Sequence, residues 1–291
     1  MVNRRWLIAL LLLAAFSTEA QPPDFLRRSE LVLAGGGMSY LGDLNNQSAL
    51  GMPRLGFGVG VRSRLDNRWS LRASLSHGSV GCEQDYLERR NLSFRSNVTE
   101  LAAVVEFDFR PYGPGATESP WTPYLFGGLG VFHFNPKASY IDAEGVVQWV
   151  ALQPLRTEGQ GSAAYPERRQ YPLTQVCLPV GLGVRCRLGK NISLAAEYGF
   201  RKTWTDYLDD VSTTYVGAEL LQANATNSEQ GALAAMLADR SAEVVEDYVN
   251  APGIKRGDDS LDDWYAFFHL SLGINLDLLL GWTRSKRCKI N

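Results

Sequence analysis

A two-residue alternation of apolar and polar side chains is the feature that most constrains this chain of 291 residues. Residues 264–278 show it most clearly, because every even position is apolar and most odd positions are small or polar. A β-strand directs successive side chains to opposite faces, so this segment is predicted to be a strand with one apolar face. The same alternation recurs in residues 54–62, 68–75, 100–110, 175–185 and 192–201. Residues 31–40 and 121–134 are also strand-like, which makes eight predicted strands.

Short and long connections alternate between these predicted strands. The short ones are residues 65–67, 111–120 and 189–190, and the long ones are 41–52, 78–91, 135–172 and 205–262. Short turns at one end and long loops at the other are typical of outer-membrane barrels. We therefore predict an all-β fold, an eight-stranded antiparallel up-and-down transmembrane β-barrel with a partly helical last loop. The Ala-rich segment 228–249 is predicted to form one or two helices, divided near Ser241.

The polar face of the predicted strands carries many glycines together with charges of both signs. Glycines suit the crowded interior of a narrow barrel, and opposite charges can pair there, whereas an unpaired buried charge is costly. We therefore expect lipid on the apolar face, and a soluble barrel with an apolar cavity is the alternative. Eight strands enclose room only for side chains, so a porin role is disfavoured. The expected lumen charge network consists of Arg62, Arg72, Glu100, Glu106, Asp108, Arg185, Glu197 and Arg201.

The first twenty residues have the pattern of a secretory signal peptide. Arg4 and Arg5 precede an apolar run over residues 6–16, and small residues lead to a predicted cut after Ala20. The apolar run is shorter than the roughly 20 residues that a membrane-spanning helix needs. We therefore expect an exported protein with a single barrel domain over residues 21–291, and any membrane span must consist of strands.

Aromatic residues and cysteines give two further expectations. Aromatic residues near the predicted strand ends suggest interfacial girdles, namely Tyr40, Trp69, Tyr112, Trp121, Trp204, Trp264 and Trp282. Cys177 and Cys186 share one predicted strand and lie about 30 Å apart, so they cannot pair with each other. If disulfides form, the expected pairs are Cys82 with Cys177 and Cys186 with Cys288, and four unpaired thiols are the alternative.

No motif of known catalytic chemistry is present in the sequence. A nucleophile elbow, a zinc-protease helix motif and a phosphate-binding loop are all missing. Asp206, Asp209 and Asp210 resemble half of a calcium loop, but the central Gly and terminal Glu are lacking, so solvated or Arg-paired carboxylates are expected. A net charge of −2 excludes a generic basic nucleic-acid binder. We expect no enzyme activity, cofactor, metal, nucleic acid or small-molecule substrate.

Five motifs at loops and strand ends resemble those of a known family. They are YLGDLN at 40–45, RNLSFRS at 90–96, GVFHFNPKA at 130–138, TEGQG at 157–161 and FRKTWTDYLDDVSTTY at 200–215. Together they resemble the PorG-like outer-membrane barrel family of Bacteroidetes-type envelopes, which is associated with type IX secretion. The resemblance implies a non-enzymatic barrel that accompanies the periplasmic ring of the secretion machine.

A second resemblance concerns the predicted last strand. Ser271, Gly273, Leu276 and Leu278 are similar to the final-strand signal that the barrel-insertion machinery recognises, although a tail of residues 279–291 follows here. An even number of strands leaves both termini in the periplasm. Outer-membrane lipid and the periplasmic ring proteins are therefore the expected partners.

Basic residues near the two termini are candidate contacts with an acidic periplasmic component. They are Arg27, Arg28, Arg284, Lys286, Arg287 and Lys289. The alternative is a charge run that stays in water or stops the strand at the interface. A second function also remains open, in which a surface-exposed binding or adhesin barrel acts through its long loops.

Overall fold

The computed structural model describes residues 22–45, 53–83, 90–112 and 119–279. The strands are β1 Ser29–Leu41, β2 Arg54–Arg64, β3 Trp69–Glu83, β4 Ser93–Asp108, β5 Trp121–Ile141, β6 Val147–Ala151, β7 Thr174–Arg187, β8 Ile192–Thr203 and β9 Trp264–Asn275. The helices are α1 Pro22–Arg28, α2 Ala218–Asn224 and α3 Ser228–Ala238, with single 3-10 turns at Gln153–Leu155 and Ser241–Glu243.

Eight of these strands form a closed antiparallel barrel, as predicted. Each barrel strand pairs with its neighbours along the chain, and β5 pairs directly with β7 because β6 lies outside the ring. The ring closes where β1 pairs with β9, with Leu33 opposite Leu272. β6 pairs only with the far end of β5, so these two strands form a hairpin that extends beyond the barrel. Within the described ranges, no helix has the length and apolar character needed to cross a bilayer.

The two faces of the barrel wall differ as the alternation predicts. Along β4, the burial of side chains changes at almost every residue, with Leu101 exposed and Ala102 buried. Leu55, Leu129 and Leu270 are 73%, 69% and 63% exposed on the outside. A continuous apolar outer surface of this kind is unfavourable in water and suits lipid. The soluble cavity barrel would require the opposite arrangement of the two faces.

Part of the predicted aromatic girdle lies on the outer surface and part of it does not. Trp69, Trp121 and Trp204 are exposed near strand ends. Tyr40 and Tyr112 are buried, so their assignment to a girdle was wrong. Tyr40 lies on the buried side of β1 and contacts Asp209, whereas Tyr112 lies beyond the end of β4 with its ring beside the Arg64 guanidinium. Trp282 lies outside the described residues.

Strand ends differ from the predicted ones at the long-loop end and at the chain's last strand. β3 continues to Glu83 and β5 to Ile141, because their pairing partners extend equally far. β9 ends at Asn275, whose Oδ1 accepts the amide N–H of Asp277 at 2.8 Å. This interaction starts a helical turn over residues 276–279, as an N-cap does.

The residues of the proposed final-strand signal are therefore divided between two conformations. Ser271 and Gly273 lie in β9, whereas Leu276 and Leu278 lie in the helical turn that follows it. The prediction of one strand over 264–278 is thus wrong for its last three residues. Asn275 also donates from Nδ2 to the carbonyl of Arg27 at 2.9 Å, which joins the end of the barrel to α1.

The cysteine positions contradict both expected disulfides, because Cys177 and Cys186 are free thiols. Cys177 is a free, buried thiol whose Sγ lies 3.7 Å from the Tyr265 hydroxyl. The Cys82–Cys177 pairing is therefore wrong, and the Cys82 thiol instead donates to the carbonyl of Leu44 at 3.1 Å. Cys186, on the same strand as Cys177, is also a free thiol, and Cys288 lies outside the described residues.

The long loops after β5 and β8, residues 142–173 and 205–263, fold together into one unit that we call the cap. Leu152 and Leu155 of the first loop are buried against Leu221 and Leu237 of the second. Of the predicted helical segment 228–249, only Ser228–Ala238 is an α-helix, and α2 before it was not predicted. The side chain of Asp239 accepts amide N–H groups after α3, at Ser241 and beyond, which ends the helix earlier than expected.

Candidate functional site

The centre of the barrel lumen is occupied by one carboxylate surrounded by three arginines. Glu106 of β4 is fully buried and accepts a hydrogen bond from Arg62 Nε at 2.8 Å and from Arg185 Nη2 at 2.7 Å. Arg72 Nε lies 3.1 Å from the same carboxylate. These arginines come from β2, β7 and β3. β3 is paired with β4, whereas β2 and β7 are not, so the contacts of Arg62 and Arg185 join strands that are not neighbours.

A second carboxylate extends this arrangement toward the opposite wall. Glu197 of β8 accepts from Arg72 Nη1 and Nη2 at 2.7 and 2.9 Å, and from the Tyr124 hydroxyl at 2.7 Å. His269 Nε2 lies 3.5 Å from Glu197. Arg72 thus links Glu197 to Glu106, and a planar guanidinium suits such two-sided contacts.

The remaining predicted lumen residues form two further contacts. Arg201 lies 3.0 Å from Glu100, and the Tyr265 hydroxyl donates to Glu100 at 2.7 Å. Arg185 lies 3.2 Å from Asp108. The structure therefore places all eight predicted lumen residues inside the barrel, each within an ion pair.

Several lumen residues were missed at the sequence level. They are Glu30, Arg64, Tyr124, Tyr265 and His269. Glu30 falls one residue before the predicted start of the first strand, and Tyr124 lies in a strand whose face the alternation left undecided. Tyr265 and His269 occupy odd positions of the last strand, so the same alternation was a signal that could have found them.

The lumen is filled at the level of these ion pairs. The cavity beside Arg72, Glu197 and Arg201 has a volume of about 20 Å³. A water molecule needs about 10–15 Å³ on the same measure, so the cavity holds about one water. A solute therefore has no room to pass between these side chains.

The long-loop mouth of the barrel is closed by the cap. Leu208 and Val211 from the loop after β8 are completely buried against aromatic side chains at the strand ends. Tyr171 of the other loop stacks on Tyr207, with ring centroids 4.7 Å apart. Apolar contacts of this kind hold the two loops over the lumen rather than free in solvent.

Three aspartates predicted to be solvated or Arg-paired lie buried at the base of the cap. The Tyr40 hydroxyl lies 2.6 Å from Asp209 Oδ2 and 2.8 Å from Asp263 Oδ1. One hydroxyl can donate its proton to only one of two carboxylates, and burial raises the pKa of both Asp209 and Asp263. Asp210 accepts from the Tyr171 hydroxyl at 2.6 Å and lies 3.9 Å from Arg256. The expectation of solvated carboxylates is therefore wrong, because all three aspartates are buried. Among the described residues, an arginine pairs with Asp210 but not with Asp206 or Asp209.

Glu158 and Arg256 connect two of the sequence motifs. Glu158, in the TEGQG motif, accepts the amide N–H groups of Ser212 and Thr213 at 2.9 and 3.0 Å. Arg256 Nη1 lies 2.9 Å from Glu158 and donates to the carbonyl of Asp210. The motif at 157–161 thus binds the motif at 200–215 directly. Among the described residues, no group of three or more His, Cys, Asp or Glu side chains is arranged to hold a metal ion.

Asp206 makes the stability of the cap dependent on pH. Both of its carboxylate oxygens are shielded from solvent, and burial raises its pKa to about 9; the Ser212 side chain opposes this shift, and Asp43 and Asp209 add repulsion. An unfolded aspartate has a pKa of about 3.9, so the closed cap holds a proton that the open cap loses between pH 4 and 9. We expect the stability of the closed cap to fall as pH rises through that range, by up to about tenfold in opening equilibrium per pH unit.

Hydrogen exchange of residues 205–215 at several pH values measures this dependence. Asp206→Asn should make the dependence shallower, because the amide does not titrate, while Asp209 and Asp263 keep their own contributions. Asp259→Asn, at an exposed position of the same loop, should leave it unchanged. Exchange protection that is independent of pH in the unmodified chain would contradict the expectation.

The basic candidates at the other end of the barrel are only partly within the described residues. Arg27 and Arg28 are exposed in the last turn of α1, beside the barrel mouth that the short turns surround. Arg284, Lys286, Arg287 and Lys289 lie outside the described residues.

Three solved structures that are similar to this chain are distant from it in sequence. Neisserial surface protein A is 10% identical with a TM-score of 0.41, and the match covers 85% of this chain and 96% of that one. Ail of Yersinia pestis is 11% identical with a TM-score of 0.38, over 84% and 96% of the two chains. A major outer membrane protein from Thermus thermophilus is 13% identical with a TM-score of 0.39, over 84% and 98%. Similarity at this level says nothing about function.

Comparison with protein families gives a broader match. Residues 8–231 match the family described as "Outer membrane protein beta-barrel domain". Among curated proteins, no significant match was found. Because the family match spans most of the chain and the strands close into a barrel with an apolar outside, this chain belongs to the outer membrane protein beta-barrel family and resides in the bacterial outer membrane.

Proposed function

We propose that this barrel is a non-enzymatic subunit of a type IX protein secretion apparatus and associates at its periplasmic side with the ring proteins of that machine. The filled lumen is the observation that carries the proposal. Arg62, Arg72 and Arg185 converge on Glu106 across the whole interior, so the barrel does not transport solutes. A protein of this kind acts through the surfaces at its two ends.

The motif resemblance supports the choice of apparatus. The motifs at 157–161 and 200–215, which resemble the PorG-like family, bind each other through Glu158. The motif at 40–45 joins them, because the hydroxyl of Tyr40 contacts Asp209. Motifs that are far apart in sequence and form one cluster in space favour a shared architecture over chance similarity.

The orientation of the barrel exposes a basic surface to the periplasm. Outer-membrane barrels have short turns on the periplasmic side and long loops outside the cell. α1, with the exposed Arg27 and Arg28, lies at the short-turn end and therefore faces the periplasm. Four further basic residues follow in the sequence after β9, and an acidic ring component would complement both groups.

The test is a pull-down of the tagged full-length chain from detergent-solubilised envelope. We expect ring proteins to co-purify, and we expect their recovery to drop strongly when Arg284, Lys286, Arg287 and Lys289 are replaced by Glu. Arg169→Glu with Lys255→Glu, at exposed positions on the long-loop side, should not affect recovery. If no ring proteins co-purify with the unmodified chain, the secretion role is refuted. If the charge-reversed variant still retains them, docking through these basic residues is refuted.

A second candidate function is surface binding through the long loops. The β5–β6 hairpin favours it, because this hairpin extends beyond the barrel and exposes Ile141, Val147 and Trp149. Replacing Val147 and Trp149 by Ser removes apolar contact area from the hairpin without touching the lumen. If that variant loses cell-surface binding while secretion stays normal, the adhesin function is the correct one.

A further inference from the structure

A pocket at the periplasmic mouth of the barrel combines cationic side chains from separate parts of the chain. Its volume is about 370 Å³, at the lower end of the range of roughly 300–1,000 Å³ found for ligand pockets. We call it the basic pocket. Its cations are Arg27 and Arg28 of α1, Arg64 of β2, Arg187 of β7 and Lys190 of the following turn. Glu30 and Asp277 are its two carboxylates.

The positive charge of the basic pocket is only partly neutralised. Glu30 lies 2.7 Å from Arg64 and 3.3 Å from Arg62, so the negative charge of this carboxylate is already balanced within the lumen. Within the described ranges, the other four cations of the pocket make no ion pair, namely Arg27, Arg28, Arg187 and Lys190. Asp277 is the one pocket carboxylate that could balance them. An anion entering the pocket would therefore meet a net positive field.

Arg187 is held in place before any ligand arrives. Its guanidinium carbon lies 4.9 Å from the centroid of the Tyr112 ring, a cation–π distance. Its Nη2 is shielded from solvent and has no hydrogen-bond partner among the described residues, and the same is true of the Tyr112 hydroxyl. Burying a guanidinium nitrogen without a partner costs free energy. A carboxylate that accepts from Arg187 recovers that cost, which makes the site selective for an anionic oxygen ligand.

The walls of the pocket indicate how the ligand enters. Glu30, Arg64 and Ser193 face inward and are buried, so the floor of the pocket is the end of the lumen. A ligand therefore enters along the barrel axis from the periplasm, and a lipid headgroup would have to leave the surrounding bilayer to reach it. Asn191 also lines the pocket, and a side-chain amide can hydrogen-bond to peptide groups.

We propose that the basic pocket binds an acidic peptide segment of a periplasmic protein, with a Glu or Asp carboxylate paired to Arg187 and Lys190. This inference rests on the proposed function, because it supplies the contact by which a ring component would dock. It differs from a contact made by the basic residues near the termini, because it assigns the contact to a defined cavity formed in part by the β7–β8 turn. The volume of the cavity restricts the ligand to a short segment of chain.

Fluorescence anisotropy of a labelled hexaglutamate peptide, titrated with the full chain in uncharged detergent, tests the proposal. We expect saturable binding that weakens at least about tenfold in Arg187→Gln with Lys190→Gln, because charge-assisted hydrogen bonds are lost. The matched control is Arg68→Gln with Arg110→Gln, two exposed cations at the same end that do not line the pocket. We expect the control to bind within about twofold of the unmodified chain, since only long-range attraction changes. Heat-modifiable gel mobility verifies that all variants are folded.

The other outcomes each overturn the assignment. Equal weakening in both double variants would mean general electrostatic attraction rather than a pocket. If inorganic phosphate or phosphatidylglycerol micelles displace the peptide, and if the substitutions at Arg187 and Lys190 abolish this competition, the site binds phosphate groups instead. The pull-down separates this proposal from the proposed function. If ring proteins still co-purify with Arg187→Gln plus Lys190→Gln, the pocket is not their docking site. If the peptide binds but no ring proteins co-purify with the unmodified chain, only the secretion role is refuted.

Discussion

Glu106→Gln is expected to be among the most destabilising single substitutions in the barrel. The amide keeps the shape of the side chain but removes the negative charge that Arg62, Arg72 and Arg185 surround within 3.1 Å. Three guanidinium groups would then share a buried site without their common counter-charge. Removing one partner of a buried ion pair typically costs about 3–5 kcal/mol. We expect a loss of that size in the free energy of unfolding, measured by urea titration in detergent micelles.

The control for this substitution is Glu144→Gln. Glu144 is exposed in the turn between β5 and β6 and makes no ion pair with the described residues. Its replacement should change the free energy of unfolding by less than about 0.5 kcal/mol. An unfolding midpoint of Glu106→Gln equal to that of Glu144→Gln would show that the lumen network does not stabilise the fold.

Gly128→Ala should have the second large effect. A Cβ atom at this position would lie 2.0 Å from the carbonyl oxygen of Ala103 and 2.6 Å from the Cα of Val104, both in the neighbouring strand β4. Backbone atoms cannot move away as the end of a flexible side chain can, so β4 and β5 would have to separate locally. Overpacking of this kind typically costs about 1–3 kcal/mol, and a contact with backbone belongs at the upper end. The same urea titration measures it.

The adjacent residue provides a matched comparison. At Gly127, a Cβ atom would meet its nearest neighbour, Cγ1 of Val180, at 3.9 Å, which is an ordinary contact. Gly127→Ala should therefore be neutral or slightly stabilising, because alanine restricts the unfolded chain more than glycine does. If both alanine variants unfold at the same denaturant concentration, close strand approach is not the reason for glycine at position 128.

Local sequence pattern was sufficient for much of the barrel. The two-residue period assigns each side chain of a strand to one of two faces without knowledge of the neighbouring strands. For this reason six of the eight barrel strands and the shared face of Glu106 and Arg185 followed from the alternation, and the glycines and mixed charges of that face indicated that it points inward. The errors at Tyr40 and Tyr112 arose because a position near a strand end does not by itself decide whether a side chain faces lipid or the interior.

Contacts between distant parts of the chain could not be predicted in this way. Tyr40 contacts Asp263 across 223 residues of sequence, and no periodicity relates the two positions. The burial of Asp206 likewise depends on how the two cap loops pack, so the sequence alone favoured a solvated or Arg-paired carboxylate. Whether Cys177 is a free thiol depends on which side chains surround it in the lumen. Neither the alternation of residue types nor the exported location of the protein determines those neighbours.

By itself, the sequence determined that this chain forms a closed barrel with lipid outside and charges inside, because strand periodicity is a local property of the backbone. The tertiary structure alone decided which charges pair, how the cap closes the mouth and where the basic pocket lies. Those features depend on side chains from separate strands and loops meeting at distances of about 3 Å, and such contacts arise only when the ring of strands has closed.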